Sequence, residues 1–129
     1  MEEYKDSVDI RFSSEATNIA EAIKEKFFFS QAIAIYRLAA VYALSNYREA
    51  IDFAKLDYEY DKNGANYHSA SFDQGDTFRK LITNMYPWCT TPYKYARVAA
   101  IFGLKKIKEQ MDSNPDFNIV SLIDTSIKV

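Results

Sequence analysis

His68 and Cys89 are the only histidine and cysteine of this 129-residue chain. Imidazole and thiolate are the groups that hold zinc or run nucleophilic catalysis near neutral pH. A structural zinc needs several such ligands at short spacings, and a nucleophilic thiol needs a base beside it. Neither pattern is present. Cys89 sits between Trp88 and two threonines and reads as an inert, partly buried thiol. Asp57, Glu59 and Asp61 alternate with tyrosines. On an extended strand they would share a face as a divalent-ion site, against which stands the reading of a solvated acidic loop. Gly64, Gly75 and Gly103 are too dispersed for a phosphate-cradling loop. The chain therefore reads as a non-enzyme, with no catalytic residue, metal or cofactor expected.

Binding chemistry is left. Val8, Ile10 and Phe12 alternate with Ser7, Asp9, Arg11 and Ser13, the period of a two-faced strand. A lone strand cannot satisfy its own backbone groups. Its partner is either the same strand of a second copy or the C-terminal tail. In the first case two copies form a two-stranded ribbon backed by four helices, a shape that fits the DNA major groove.

The run SVDIRFSSEATNIAEAIKEKFFFSQAIAIYRLAAVYALSN, residues 7–46, resembles the ribbon-helix-helix superfamily. Its RFS–helix–helix portion is similar to the small DndE-like proteins of bacterial DNA modification and defence systems. The resemblance implies a homodimer whose strand side chains, here Arg11 and Asp9 with Ser7 or Ser13, face bases and phosphates of double-stranded DNA. It also implies that the second helix aims its N-terminus, here Ser30 and Gln31, at the phosphate backbone. The implied function is that of a non-enzymatic DNA-associated regulator or accessory factor. Two features depart from the family pattern: no basic arm precedes the strand, and the interhelical loop is FFFS rather than a glycine-containing turn.

A second basic feature lies near the C-terminus. At 100° per residue, Lys94, Arg97, Lys105 and Lys108 fall within about 80° of one another, a candidate phosphate-contacting stripe. Ala96, Ala99, Ala100, Gly103 and Ile107 lie opposite, a small-residue face for close helix packing. Ile101 interrupts the stripe, which suits a protein partner better than DNA. Charge points the same way. The chain carries a net −2, and residues 1–46 hold seven acidic against five basic groups, whereas nucleic-acid binders present a basic footprint. The competing function is an adaptor subunit that docks a larger protein and makes no direct DNA contact.

These residues must be positioned by a mainly α fold. Three glycines and three prolines favour long regular elements, and 48% apolar with 26% charged residues is ordinary globular usage. One domain is expected over 1–129, with 7–46 as a strand–helix–helix dimerisation core and 47–129 as a helical extension. Ser13 or Ser14 caps the first helix, whose stripe is Ala16, Ile19, Ala20, Ile23 and Phe27. Phe27, Phe28 and Phe29 form a corner, and Ser30 caps a second helix, about 31–44, that is apolar all round and must be buried on every side. A dimer would bury it, as would a central place in a monomeric bundle. A third helix is expected over 47–60, a turn at Asn63-Gly64, and an extended piece near 67–72. Asp73 or Asp76 caps a helix carrying Phe78, Leu81, Ile82 and Met85, and Thr91-Pro92 opens the last helix, about 92–111. The tail from Pro115 reads as a short extended or packed segment. The lone cysteine, the absence of a leader-like start and the polar interruptions of 27–44 by Ser30, Gln31 and Arg37 lead to the expectation of a cytoplasmic, non-membrane protein.

Overall fold

The chain folds around two helices, one apolar and one with a small-residue face, that touch backbone to backbone. The structure, a computed structural model, describes residues 9–53, 63–119 and 121–122. Its elements are β1 (Asp9–Arg11), α1 (Ser14–Phe27), α2 (Ala32–Asn46), β2 (Asn66–His68), α3 (Ser69–Phe72), a 3-10 turn (Gln74–Asp76), α4 (Thr77–Met85) and α5 (Pro92–Ser113). The fold is mainly helical, as the composition requires.

The expected face of β1 is correct: Ile10 and Phe12 are fully buried, while Asp9 is exposed. Its pairing partner is neither of those anticipated. β1 pairs antiparallel with β2 of the same chain, Asp9 opposite His68, Ile10 opposite Tyr67 and Arg11 opposite Asn66. The Phe12 amide continues the ladder to the Ala65 carbonyl at 2.8 Å. A latch holds this junction: Thr17 Oγ1 donates to the Ser13 carbonyl and accepts from the Ala65 amide, both at 2.8 Å. The turn at Asn63-Gly64 passes so close that a Cβ on Gly64 would stand 1.7 Å from the Phe12 carbonyl oxygen. Glycine is the residue that permits this approach.

α1 begins at Ser13, whose Oγ accepts from the Ala16 amide at 3.0 Å, and buries Ala16, Ile19, Ala20 and Ile23 as the stripe requires. α2 leaves α1 at a bend of 106°. It starts one residue later than expected: Gln31, not Ser30, occupies the cap position and makes no side-chain cap bond. Its apolar circumference is covered within the chain. Ile35, Tyr36, Ala39, Ala40, Tyr42, Ala43 and Leu44 are buried, and Ile33, Arg37, Leu38 and Val41 half-buried. α5 is the more enclosed helix, with Ala96 through Ile101, Gly103, Leu104 and Ile107 all buried. The small-residue face performs as expected. At the crossing a Cβ on Gly103 would fall 2.0 Å from the Ala39 carbonyl oxygen. α1 runs parallel to the C-terminal half of α5, from Glu15 beside Lys105 to the Phe27 ring against Phe117.

Other expectations are revised. Residues 47–52 form turns and coil rather than the start of a third helix, Phe53 is in a 3-10 conformation, and 54–60, with Asp57 and Glu59, lie outside the described residues, as does Asp61. Residues 69–72 are helical, not extended, because the Arg37 guanidinium satisfies the carbonyls ending α3. Nε donates to Phe72 O at 2.8 Å and Nη2 to Ser71 O at 2.6 Å. Asp76 occupies the cap position of α4, yet Asp73 does the capping from outside. Buried at 4% exposure, its carboxylate accepts from the Phe78 amide (2.7 Å), the Arg79 amide (3.0 Å) and the Tyr93 hydroxyl (2.9 Å). Charge in the first turn of a helix is favourable in this sense. Of the two readings of the tail, the packed segment holds over 114–119, where turns bury Phe117 and Ile119, and the extended one does not.

Candidate interaction surface

The eight residues anticipated to meet DNA do not form one open face. Arg11 is half-buried and its guanidinium lies 3.4 Å from the Gly64 carbonyl. Ser13 is spent as the cap of α1. Ser30 and Gln31 are exposed, but α1 stands between them and Ser13, and its 14 residues span about 21 Å. On α5, Arg97 is 5% exposed and belongs to the interior, where Ile101 of the same stripe is also buried. Lys94 is half-buried. Lys105 reaches Glu15 at 3.6 Å. Lys108 donates to Asp112 at 2.6 Å, and that carboxylate holds the ammonium pKa above its ordinary value. Asp112 entered the picture because α5 runs two residues past its expected end at Met111. A stripe that looks contiguous on a helical wheel thus has one member in the interior, one half-buried and two paired with carboxylates.

Histidine and cysteine have structural surroundings. His68 Nδ1 accepts from the Ala70 amide at 3.1 Å and caps α3, and Cys89 is buried. Among the described residues no three His, Cys, Asp or Glu side chains gather as a metal site, and no single helix is long and apolar enough to cross a membrane.

Tyrosine accounts for much of the interior polarity. Tyr36 stacks on Phe12 at 4.1 Å and 19°, and burial pushes its hydroxyl up to about 12. Tyr42 is also pushed up to about 12, chiefly by burial and then by the Tyr47 hydroxyl at 3.2 Å. Burial and the hydrogen bond to Asp73 raise Tyr93. Tyr86 is different. Its hydroxyl is buried with no hydrogen-bond partner among the described residues, in a ring cluster with Phe53, Tyr95 and Trp88.

The surface feature that stands out is the corner between α1 and α2. Phe28 closes α1 with a left-handed backbone, φ 61° and ψ 39°, its amide and that of Phe29 both returning to the Lys24 carbonyl. Glycine is the usual residue there. A side chain with a Cβ costs about 1–2 kcal/mol in this region, and a bulky one is an outlier. A buried ring could offset that cost. Phe28 is 91% exposed. Its neighbours divide differently: Phe27 packs edge-on against Phe117 at 6.2 Å, and Phe29 is half-buried against the core. Beside the exposed ring lies an open concavity of about 560 Å³ lined by Glu21, Lys24, Glu25, Phe28 and Phe29. A second concavity, about 490 Å³, follows the seam of α1 and α5 over Ile19, Ala22 and Met111, with Glu15, Lys108 and Asp112 at its rim. Among the described residues Trp88, 71% exposed, is the other large ring in water.

Sequence reasoning passed over Phe28, treating the three phenylalanines as one corner. The signal lay in the departure already noted, an interhelical turn with no glycine. No family model, curated protein or solved structure matches this chain.

Proposed function

We propose that the chain is a non-enzymatic protein–protein interaction subunit, an adaptor within a larger complex, rather than a reader of DNA. The observation that carries this reading is Phe28, a large ring presented to water on a backbone that disfavours it. Local rules broken without compensation inside the fold mark functional positions, and exposed aromatics are the side chains that anchor interfaces. The DNA-associated homodimer loses its geometric basis at the same time. The strand meant to build an intermolecular ribbon is paired with β2 of its own chain, and its basic helix stripe is partly interior.

The test is affinity copurification of the tagged full chain from its host, beside a duplex-DNA titration. A stoichiometric protein partner that is lost on Phe28→Gly is the expected result. Retention of DNA that falls by orders of magnitude between about 50 and 200 mM salt, as phosphate-dominated binding does, with no protein partner, would overturn it.

A further inference from the structure

Resting on the adaptor reading, we infer that the α1–α2 corner receives an arginine-bearing, apolar segment of a partner protein. Charge complementarity decides the chemistry. Glu21 and Glu25 stand one turn apart on the exposed side of α1 and line the same concavity as the Phe28 and Phe29 rings. No ion pair within 4 Å involves either carboxylate among the described residues, whereas Glu15, Asp76, Glu109 and Asp112 each face a cation at 3.6 Å or less. The nearby ammonium of Lys26 is drawn aside, 5.6 Å over the Phe27 ring. The corner therefore offers two carboxylates and an uncovered aromatic face, with Lys24 as the one cation in its lining.

A guanidinium matches this set better than an ammonium does. It is planar, donates bidentately to a carboxylate and stacks on an aromatic face, and it gives up its hydration more readily. An aliphatic or aromatic residue beside the arginine would cover the rest of the Phe28 ring. An anionic partner, nucleic acid included, would meet both glutamates.

The experiment selects displayed linear peptides of about 12 residues on the full chain and re-measures the winners on Phe28→Gly and on Glu21→Gln/Glu25→Gln. The expected result is enrichment of arginine next to an apolar residue. Affinity should fall at least about 30-fold on Phe28→Gly, the scale of an interface anchor, and about 10-fold or more on the double glutamine variant. Phe28→Gly should melt no lower than the natural chain, and by about 3 °C higher, because glycine relieves the left-handed strain. That separates docking from folding: a lower melting temperature would show that the ring supports the fold, and would overturn the inference. Peptides insensitive to Phe28→Gly would also overturn it while leaving the adaptor reading intact at another surface. Failure to select any peptide, or a natural chain that is dimeric in solution and monomeric as Phe28→Gly, would overturn it too, the latter by identifying a second copy as the occupant.

Discussion

Substituting Gly103 by alanine tests the packing on which the whole fold rests. In isolation the change should help, since alanine is better than glycine inside a helix by about 1 kcal/mol. The structure reverses the sign. The new Cβ would lie 2.0 Å from the Ala39 oxygen, 2.7 Å from its carbonyl carbon and 3.1 Å from its Cα. Ordinary carbon–oxygen approach is about 3.3 Å or more, so the helices must part by roughly 1 Å. A gap of that size forfeits a quarter to a half of each dispersion contact along the seam between the two helices, which bury Ala39, Ala40 and Ala43 on one side and Ala96, Ala99 and Ala100 on the other. Overpacking of this kind typically costs about 1–3 kcal/mol, occasionally more. Because the colliding atoms are backbone, no rotamer change relieves them, and we place the cost at the upper end. Set against the helix-propensity gain, the net loss is about 2 kcal/mol, or a fall of roughly 6–12 °C for a chain of this length. Thermal melting by circular dichroism reads it. Adding Ala39→Gly should not rescue the variant, because the obstacle is the carbonyl and not the Ala39 methyl. An unchanged or raised melting temperature, or rescue by Ala39→Gly, would refute the close crossing.

Three further outcomes are expected. Asp73→Ala removes the acceptor of two amides and of the Tyr93 hydroxyl and should cost about 2–4 kcal/mol, read as a drop in urea midpoint; a loss under about 0.5 kcal/mol would remove Asp73 from its capping role. Tyr86→Phe deletes a buried hydroxyl with no partner among the described residues and should be neutral or stabilising by about 1 kcal/mol; a loss above about 1 kcal/mol would mean the hydroxyl is bonded. Tyr36 and Tyr42 have pKa values raised from 10 to about 12 on folding. The folded state thus keeps protons that the unfolded chain gives up, and that stability is whole below pH 10 and drains away as pH rises through about 12. Alkaline unfolding followed with tyrosinate absorbance should fall in this window and move higher in Tyr36→Phe; unfolding complete below pH 9 would contradict it.

Local order was readable wherever the physics is local. The alternation of Ile10 with Asp9 and Arg11, the serine cap and four-residue stripe of α1, the Thr91-Pro92 start of α5 and its alanine–glycine face each follow from backbone period and neighbouring side chains. Mainly helical architecture followed from the scarcity of glycine and proline. The candidate site was far less legible. Position on a helical wheel fixes direction relative to the axis and not what lies in that direction, so Arg97 and Lys108 looked equivalent although one is interior and the other exposed.

The sequence by itself determined which faces had to be buried, because side-chain hydrophobicity and the 2.0 and 3.6 periods belong to each segment alone. Only the tertiary structure decided what buries them. Strand pairing joins residues nearly sixty positions apart, so β1 finds β2 through the Thr17 latch and the Gly64 crossing, contacts that no local pattern encodes. The same holds for Phe28. Its sequence neighbours are two more phenylalanines, and only the 106° bend between α1 and α2 leaves one ring of the three in water.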